Sequence, residues 1–218
     1  MRFINLDHSP YAARVKIQIM HKQAPIDIIA PPLSLKTPEF LAKFPLGKIP
    51  LLALDNGDYL PESIAIMEYI EDSYPEVVCR PKNAIGKAKM RVMMAYTDTH
   101  LGPALLPFFK ALLIPDFEFN KQAQFKILCQ TLEKFDRWLY QNNSQNDQFY
   151  KANIDLGDMT LVPIIWYVNA VVPLFYKGDA FTNLKYLNQW SEWVNRNEAV
   201  TTVIEAMDKA FNAFIKSI

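Results

Sequence analysis

Residues 51–60 read LLALDNGDYL. Two apolar runs, 51–54 and 58–60, flank Asn56-Gly57, the dipeptide that most readily forms a two-residue turn between antiparallel strands. Upstream of this hairpin, residues 2–6 read as a strand, 10–22 as a helix, 26–30 as a second strand and 37–44 as a short helix. Ser9-Pro10 and Thr37-Pro38 each set a capping hydroxyl before a proline that suits the first helical position. Within 10–22, Tyr11, Val15 and Ile19 share one face, while Arg14, Gln18 and Lys22 share another. Downstream, 63–74 turns Ile66, Met67, Ile70 and Tyr74 inward and Glu68, Glu71 and Asp72 outward. Strands alternating with helices around one hairpin predict a small α/β domain over residues 1–76.

The rhythm then changes. Pro75, Pro81 and Gly86, with Arg80, Lys82, Lys87 and Lys89, mark 77–88 as a solvated linker. Residues 89–218 carry helical patterns only. One helix runs over 85–100 and another over 120–141, the latter ending in QNNSQNDQ, a polar loop signal. Asp155 fits a helix N-cap and Asp158 the third helical position, a capping box with carboxylates at both ends. Ile154 and Met159 sit where a hydrophobic staple would close. The helix that follows is apolar nearly all round and is therefore expected to be central. Its apolar stretch 161–176 is interrupted by Pro163, Asn169 and Pro173 and reads as a buried helix, not a membrane span. The last helix shows a stripe at Val200, Val203, Ile204, Met207, Phe211 and Phe214. The sequence thus predicts α/β plus all-α architecture.

The chain has 218 residues, half of them hydrophobic, enough for a sizeable core. Lys+Arg and Asp+Glu both total 23, which argues against a nucleic-acid or anionic-membrane binder. Cys79 and Cys129 read as free thiols of a reducing compartment, and MRFINLDHSP has no apolar leader, so the expected location is cytoplasmic. Six glycines form neither a dinucleotide fingerprint nor a phosphate loop. His8, His21 and His100 lack metal-ligand spacing, and no metal is expected.

One stretch raises a chemical question. HSPYAARV, residues 8–15, has the outline of a Cys-Pro-Tyr-Cys redox turn, with Ser9 and Ala12 in place of the sulfurs. A serine cannot form a mixed disulfide, so thiol–disulfide exchange is disfavoured. Three further motifs give the context: GKIPLL (47–52), LPESIAIMEYIEDSYP (60–75) and DLGDMTLVP (155–163). In this order and spacing, together with SPYAARV, they resemble the cytosolic glutathione transferases, of the serine-dependent, bacterial type similar to the theta, phi and zeta classes.

That resemblance implies a thioredoxin-like N-terminal domain with a cis proline at Pro50, an all-helical C-terminal domain and a homodimer. It implies glutathione as co-substrate and a small electrophile as partner, in a detoxifying role. The backbone of Ile49, before Pro50, would pair with the extended peptide. Glu62 and Ser63 would hold its γ-glutamyl end, Ser63 opening a helix whose free N–H groups suit a carboxylate. Lys36 and Lys48 resemble residues placed near the same peptide. Ser9 would donate to the sulfur, with Tyr11 the competing hydroxyl; Ser9 as a plain helix cap is the other reading. Arg14 reads as structural. Tyr11, Leu101, Leu105, Phe108 and Phe109 would line the second-substrate pocket between the domains. The sequence departs from the family pattern at Leu35, where several classes keep histidine, and at Phe44-Pro45, where Asn-Pro is common. The alternative function is a non-catalytic binding or regulatory protein on the same fold.

Overall fold

The computed structural model describes residues 1–216. They divide into two compact units, Met1–Cys79 with the segment from Glu198 onward, and Arg80–Asn197.

In the first unit the order is β1 (Arg2–Ile4), α1 (Pro10–Lys22), β2 (Asp27–Ile29), α2 (Pro38–Lys43), β3 (Leu51–Ala53), β4 (Tyr59–Pro61) and α3 (Ser63–Ser73). The strands form one mixed sheet in the order β2-β1-β3-β4, with β1 parallel to β2 and antiparallel to β3, and β3 antiparallel to β4. The turn that joins β3 to β4 has Asp55-Asn56 at its centre, closed by the Gly57 N–H on the Leu54 carbonyl at 3.1 Å, so the loop is one residue longer than a two-residue turn; Gly57 ends it at φ +93, a value glycine alone adopts freely. Phe3, Leu52, Val15, Ile17, Ile66, Met67 and Ile70 are sealed in the core. The final helix, α9 (Glu198–Ile215), packs on α1 and buries Val200, Val203, Met207 and Phe211. The sequence groups this helix with the all-α region, whereas its apolar stripe supplies the first unit's core.

Two helix faces differ from the sequence reading. Arg14, Gln18 and Lys22, whose shared face the sequence leaves unassigned, are buried, and so is Glu71, which the sequence places outward. Lys22 pairs with Glu71 at 2.8 Å, so each charge compensates the other. Tyr11, read as part of an inward stripe, is 43 % exposed while Val15 and Ile19 are buried. It sits in the first turn, where the helix has only begun to cover the sheet. Tyr74 is half-buried.

The second unit contains α4 (Ala84–Tyr96), a π-helical turn (Thr97–Leu101), α5 (Gly102–Leu113), α6 (Lys121–Asn143), α7 (Leu156–Val171) and α8 (Lys185–Val194). The segment expected as a polar loop after α6 instead forms a two-stranded ribbon, β5 (Ser144–Gln145) with β6 (Gln148–Phe149). Its turn uses Asn146 and Asp147, both at positive φ, which these residue types tolerate. Leu156–Leu174 is long and apolar enough to cross a membrane by length and composition, yet 78 % of its window is buried inside the protein. α7 packs on α4, where a Cβ at Gly157 would meet Met93 Cβ at 2.9 Å. Met90, Met93 and Met94 are therefore core residues.

The capping box forms at the start of α7: Asp155 Oδ1 accepts from the N–H of Gly157 and of Asp158, and Asp158 Oδ2 accepts from the N–H of Asp155. Lys151 Nζ bridges the two carboxylates at 2.8 and 2.6 Å. Two buried acids thus share one cation. Burial, aided by the Asp158 charge and opposed by Lys151, raises the Asp155 carboxyl to about 6. The unfolded carboxyl titrates near ~4, so the folded chain binds an extra proton between these values. The contribution of Asp155 to stability is full below about pH 4 and is lost as pH rises through about 6. The stability of wild type relative to Asp155→Asn, measured by urea unfolding, should accordingly decline over that window. A pH-independent difference would refute the assignment.

Candidate functional site

The sheet register gathers the candidate residues. Ile29 pairs with Ile4, Ile4 with Leu51, and Leu51 with Pro61. These four residues form one row across the sheet at a single end. From this row the chain runs on from Ile4 to Ser9, from Ile29 toward Lys36, and from Pro61 to Glu62-Ser63. Ile49-Pro50 enters it immediately before Leu51. Four segments distant in sequence thus meet at one sheet end, where α/β folds carry their sites.

Ser9 is extended, at φ −85 and ψ 122, and its Oγ accepts from the N–H of Ala12 at 3.3 Å. It is half-buried at the N-terminus of a 13-residue helix. The hydroxyl accepts one bond for the cap and keeps its own proton to donate. Beside it, burial alone would raise the Asp7 carboxyl, but Lys16 and Asn5 bind it and hold it below the usual range. His8 is shifted down by burial, against the pull of Asp7, and its ring stacks on Phe214 at 4.8 Å.

The Ile49-Pro50 bond is cis. Pro50 is buried, and Ile49 packs against the cluster of Ile4, Phe40, Phe44 and Leu51. Phe44 thereby has a structural role: it is 3 % exposed and meets Phe40 and Tyr59, each with ring centroids 4.9 Å away. Leu35 is 37 % exposed. Lys36 and Lys48 are exposed, and neither forms an ion pair among the described residues.

Glu62 carries a signal invisible in the sequence. Its φ is +67 with ψ 112, a conformation that strains a non-glycine residue by about 1–3 kcal/mol and is found mainly at functional sites. It precedes α3 without a side-chain cap, whereas Ser9, Thr37, Asn83, Asn120 and Asp155 all cap their helices. The first N–H groups of α3 therefore lack the side-chain cap that those five helices have. Ser63, the first residue of α3, is 6 % exposed, and Arg14 Nη1 donates to its Oγ at 3.5 Å.

The expected second-substrate residues behave differently. Leu101, Leu105 and Phe108 are fully buried; Phe108 packs edge-on against Phe119 at 5.2 Å. They do not offer an open apolar wall, because the helix turns them into the core. Phe109 is half-buried against Tyr167 at 4.6 Å. The Tyr11 ring is exposed and lies under the Arg14 guanidinium at 4.9 Å. No disulfide joins Cys79 and Cys129. Among the described residues no group of three or more His, Cys, Asp or Glu could hold a metal ion.

An α/β unit with a cis proline at one sheet end and a separate all-helical unit define a thioredoxin-like fold extended by a helical domain. Residues 3–78 match the family described as the glutathione S-transferase N-terminal domain. A probable glutathione transferase of Aplysia californica is 31 % identical over 83 residues, covering 38 % of this chain and 89 % of that one. The fold matches the tau-class glutathione S-transferase of mango, Mangifera indica, with a TM-score of 0.80 at 19 % identity, over 98 % of this chain and 97 % of that one. Elongation factor 1-gamma-B of Xenopus laevis is 35 % identical over 114 residues, 49 % of this chain, and the match spans a quarter of that protein's length (25 %). The chain belongs to the glutathione S-transferase family.

Proposed function

We propose that this protein is a glutathione-dependent transferase in which Ser9 holds the thiol of glutathione as thiolate for attack on a small, partly apolar electrophile. The observation that carries this reading is the row Ile29–Ile4–Leu51–Pro61, which brings Ser9, Ile49-Pro50 and Glu62-Ser63 to one sheet end. The backbone of Ile49 pairs with the cysteinyl residue of the peptide. The γ-glutamyl carboxylate sits on the uncapped N-terminus of α3 and the Ser63 hydroxyl, and Glu62 meets the ammonium. Lys36 and Lys48 lie toward the glycyl end, and the exposed Tyr11 ring faces the electrophile. We place the enzyme in the cytoplasm as a homodimer serving detoxification.

The energetics suffice without a general base. A free thiol titrates near ~8.5, and lowering it by two units requires about 2.7 kcal/mol. A hydroxyl donating to a charged sulfur supplies about 1.5–3 kcal/mol, and the helix N-terminus adds about 0.3–1 kcal/mol. Calorimetric titration with glutathione, followed by thiolate absorbance of the complex against pH, tests the proposal. The expected result is saturable binding at or below millimolar peptide and a thiol pKa lowered by about two units. Absence of binding at millimolar peptide defeats it.

The likeness to a protein named as an elongation factor favours a second reading, a non-catalytic binding or regulatory role on the same fold. Binding with an unshifted thiol would select that reading.

A further inference from the structure

The buried polar face of α1 is matched by α3 at the same spacing. Arg14 Nη1 donates to Ser63 Oγ at 3.5 Å, Gln18 Nε2 donates to the Met67 carbonyl at 2.9 Å, and Lys22 Nζ pairs with Glu71 at 2.8 Å. Every pair is 49 residues apart, so the two helices are locked in register over two turns. The lower end is pinned further: Lys22 Nζ donates to the carbonyls of Tyr74 and Val77, and Glu71 Oε1 accepts from the Cys79 N–H at 2.8 Å. A core between two helices is ordinarily apolar, and burying a guanidinium there is costly unless its charge is used. Arg14 is 0 % exposed and sits at the upper rung, against the first residue of α3.

We infer that Arg14 is a positioning residue for the γ-glutamyl carboxylate of glutathione, acting through Ser63. This rests on the transferase reading of the site. The guanidinium donates into the Ser63 oxygen and so occupies one of its lone pairs. The hydroxyl proton is then turned away from Arg14, toward the approach to the α3 N-terminus, where it donates to an anion. The buried cation adds its charge to the positive end of the helix, from behind. The lower rungs hold the height of Arg14 by fixing α1 against α3. The same guanidinium lies over the Tyr11 ring at 4.9 Å, which steadies the first turn of α1 next to Ser9.

The test compares two peptides by calorimetry: glutathione, and its analogue with γ-aminobutyrate in place of the γ-glutamyl residue, which keeps the amine and lacks the carboxylate. Arg14→Met should weaken glutathione binding about tenfold to 150-fold, the range for a hydrogen bond to a charged group. It should weaken the analogue less than about twofold. Ser63→Ala should show the same selectivity, and adding Arg14→Met to it should cost less than a further factor of about two. Arg14→Lys, which keeps the buried cation, should recover part of the loss. If Arg14→Met does not fold, Arg14→Lys and Ser63→Ala carry the comparison. Equal weakening of both peptides, or of neither, overturns the inference and reduces Arg14 to a packing element. Failure of the wild-type chain to bind either peptide overturns the transferase reading itself.

Discussion

Asp158→Ala is expected to destabilise the protein by about 3–5 kcal/mol, the cost of removing one partner from a buried charge pair. Asp158 is completely buried and accepts three bonds: from the Asp155 N–H at 2.9 Å, from Lys151 Nζ at 2.6 Å and from Trp190 Nε1 at 2.9 Å. The alanine leaves the indole N–H and the backbone N–H without acceptors in a site closed to water. Each such orphan costs about 1–3 kcal/mol. Lys151 retains Asp155 at 2.8 Å, which limits the loss. The site matters because α7 is the helix on which α4, α5 and α8 pack. The carboxylate starts that helix by capping it, and ties it to α8 through Trp190. Asp158→Asn keeps the shape and one strong acceptor, so it should cost roughly half as much. Urea unfolding followed by tryptophan fluorescence measures both. A loss below about 1 kcal/mol for the alanine variant would mean that water or a neighbour replaces the carboxylate.

Much of this was legible in the sequence where the deciding interaction is local. Ser9-Pro10, Thr37-Pro38 and the Asp155/Asp158 pair act within one turn of chain, and each caps the expected helix. Asn56-Gly57 likewise marks the hairpin, with Gly57 supplying its positive φ. What escaped depends on alignment between distant elements. The face shared by Arg14, Gln18 and Lys22 has no assignable role in the sequence, because a polar stripe shows its purpose only once Ser63, Met67 and Glu71 lie opposite it. The π-helical turn at Thr97–Leu101 escaped for another reason: it widens one turn without changing which residue types favour a helix. The left-handed backbone of Glu62 carries no residue signature, since glycine or asparagine would be the expected occupant. Its position is set by the β4 register before it and the start of α3 after it. For the candidate site, the motifs supplied the residues and the sheet supplied their convergence; Leu101, Leu105 and Phe108, offered as pocket lining by the resemblance, are buried, because a resemblance marks the helix and not which of its apolar residues the core takes.

Ser9→Ala is expected to raise the thiol pKa of bound glutathione by about 1–2 units and to lower kcat/KM by about 10- to 150-fold, corresponding to the loss of one hydrogen bond to a charged sulfur. The variant also removes the cap of α1, since Oγ accepts from the Ala12 N–H, at a cost of about 1 kcal/mol in stability. The two roles can be pulled apart. Ser9→Asp keeps a capping acceptor but at neutral pH has no proton to donate, and its charge repels a thiolate. It should match wild type in stability and still lose the thiolate. Ser9→Thr keeps both functions and should restore both. Tyr11→Phe provides the counter-test, because Tyr11 is the other hydroxyl in the same turn. Its ring is 43 % exposed and held by the Arg14 guanidinium, so removal of its hydroxyl should change kcat/KM less than about threefold. If Tyr11→Phe instead raises the thiol pKa while Ser9→Ala leaves it unmoved, the two hydroxyls exchange roles and Ser9 is a cap alone. The uncapped start of α3 and the strained Glu62 would still bind the peptide in that case, because their geometry depends on β4 and not on the first turn of α1.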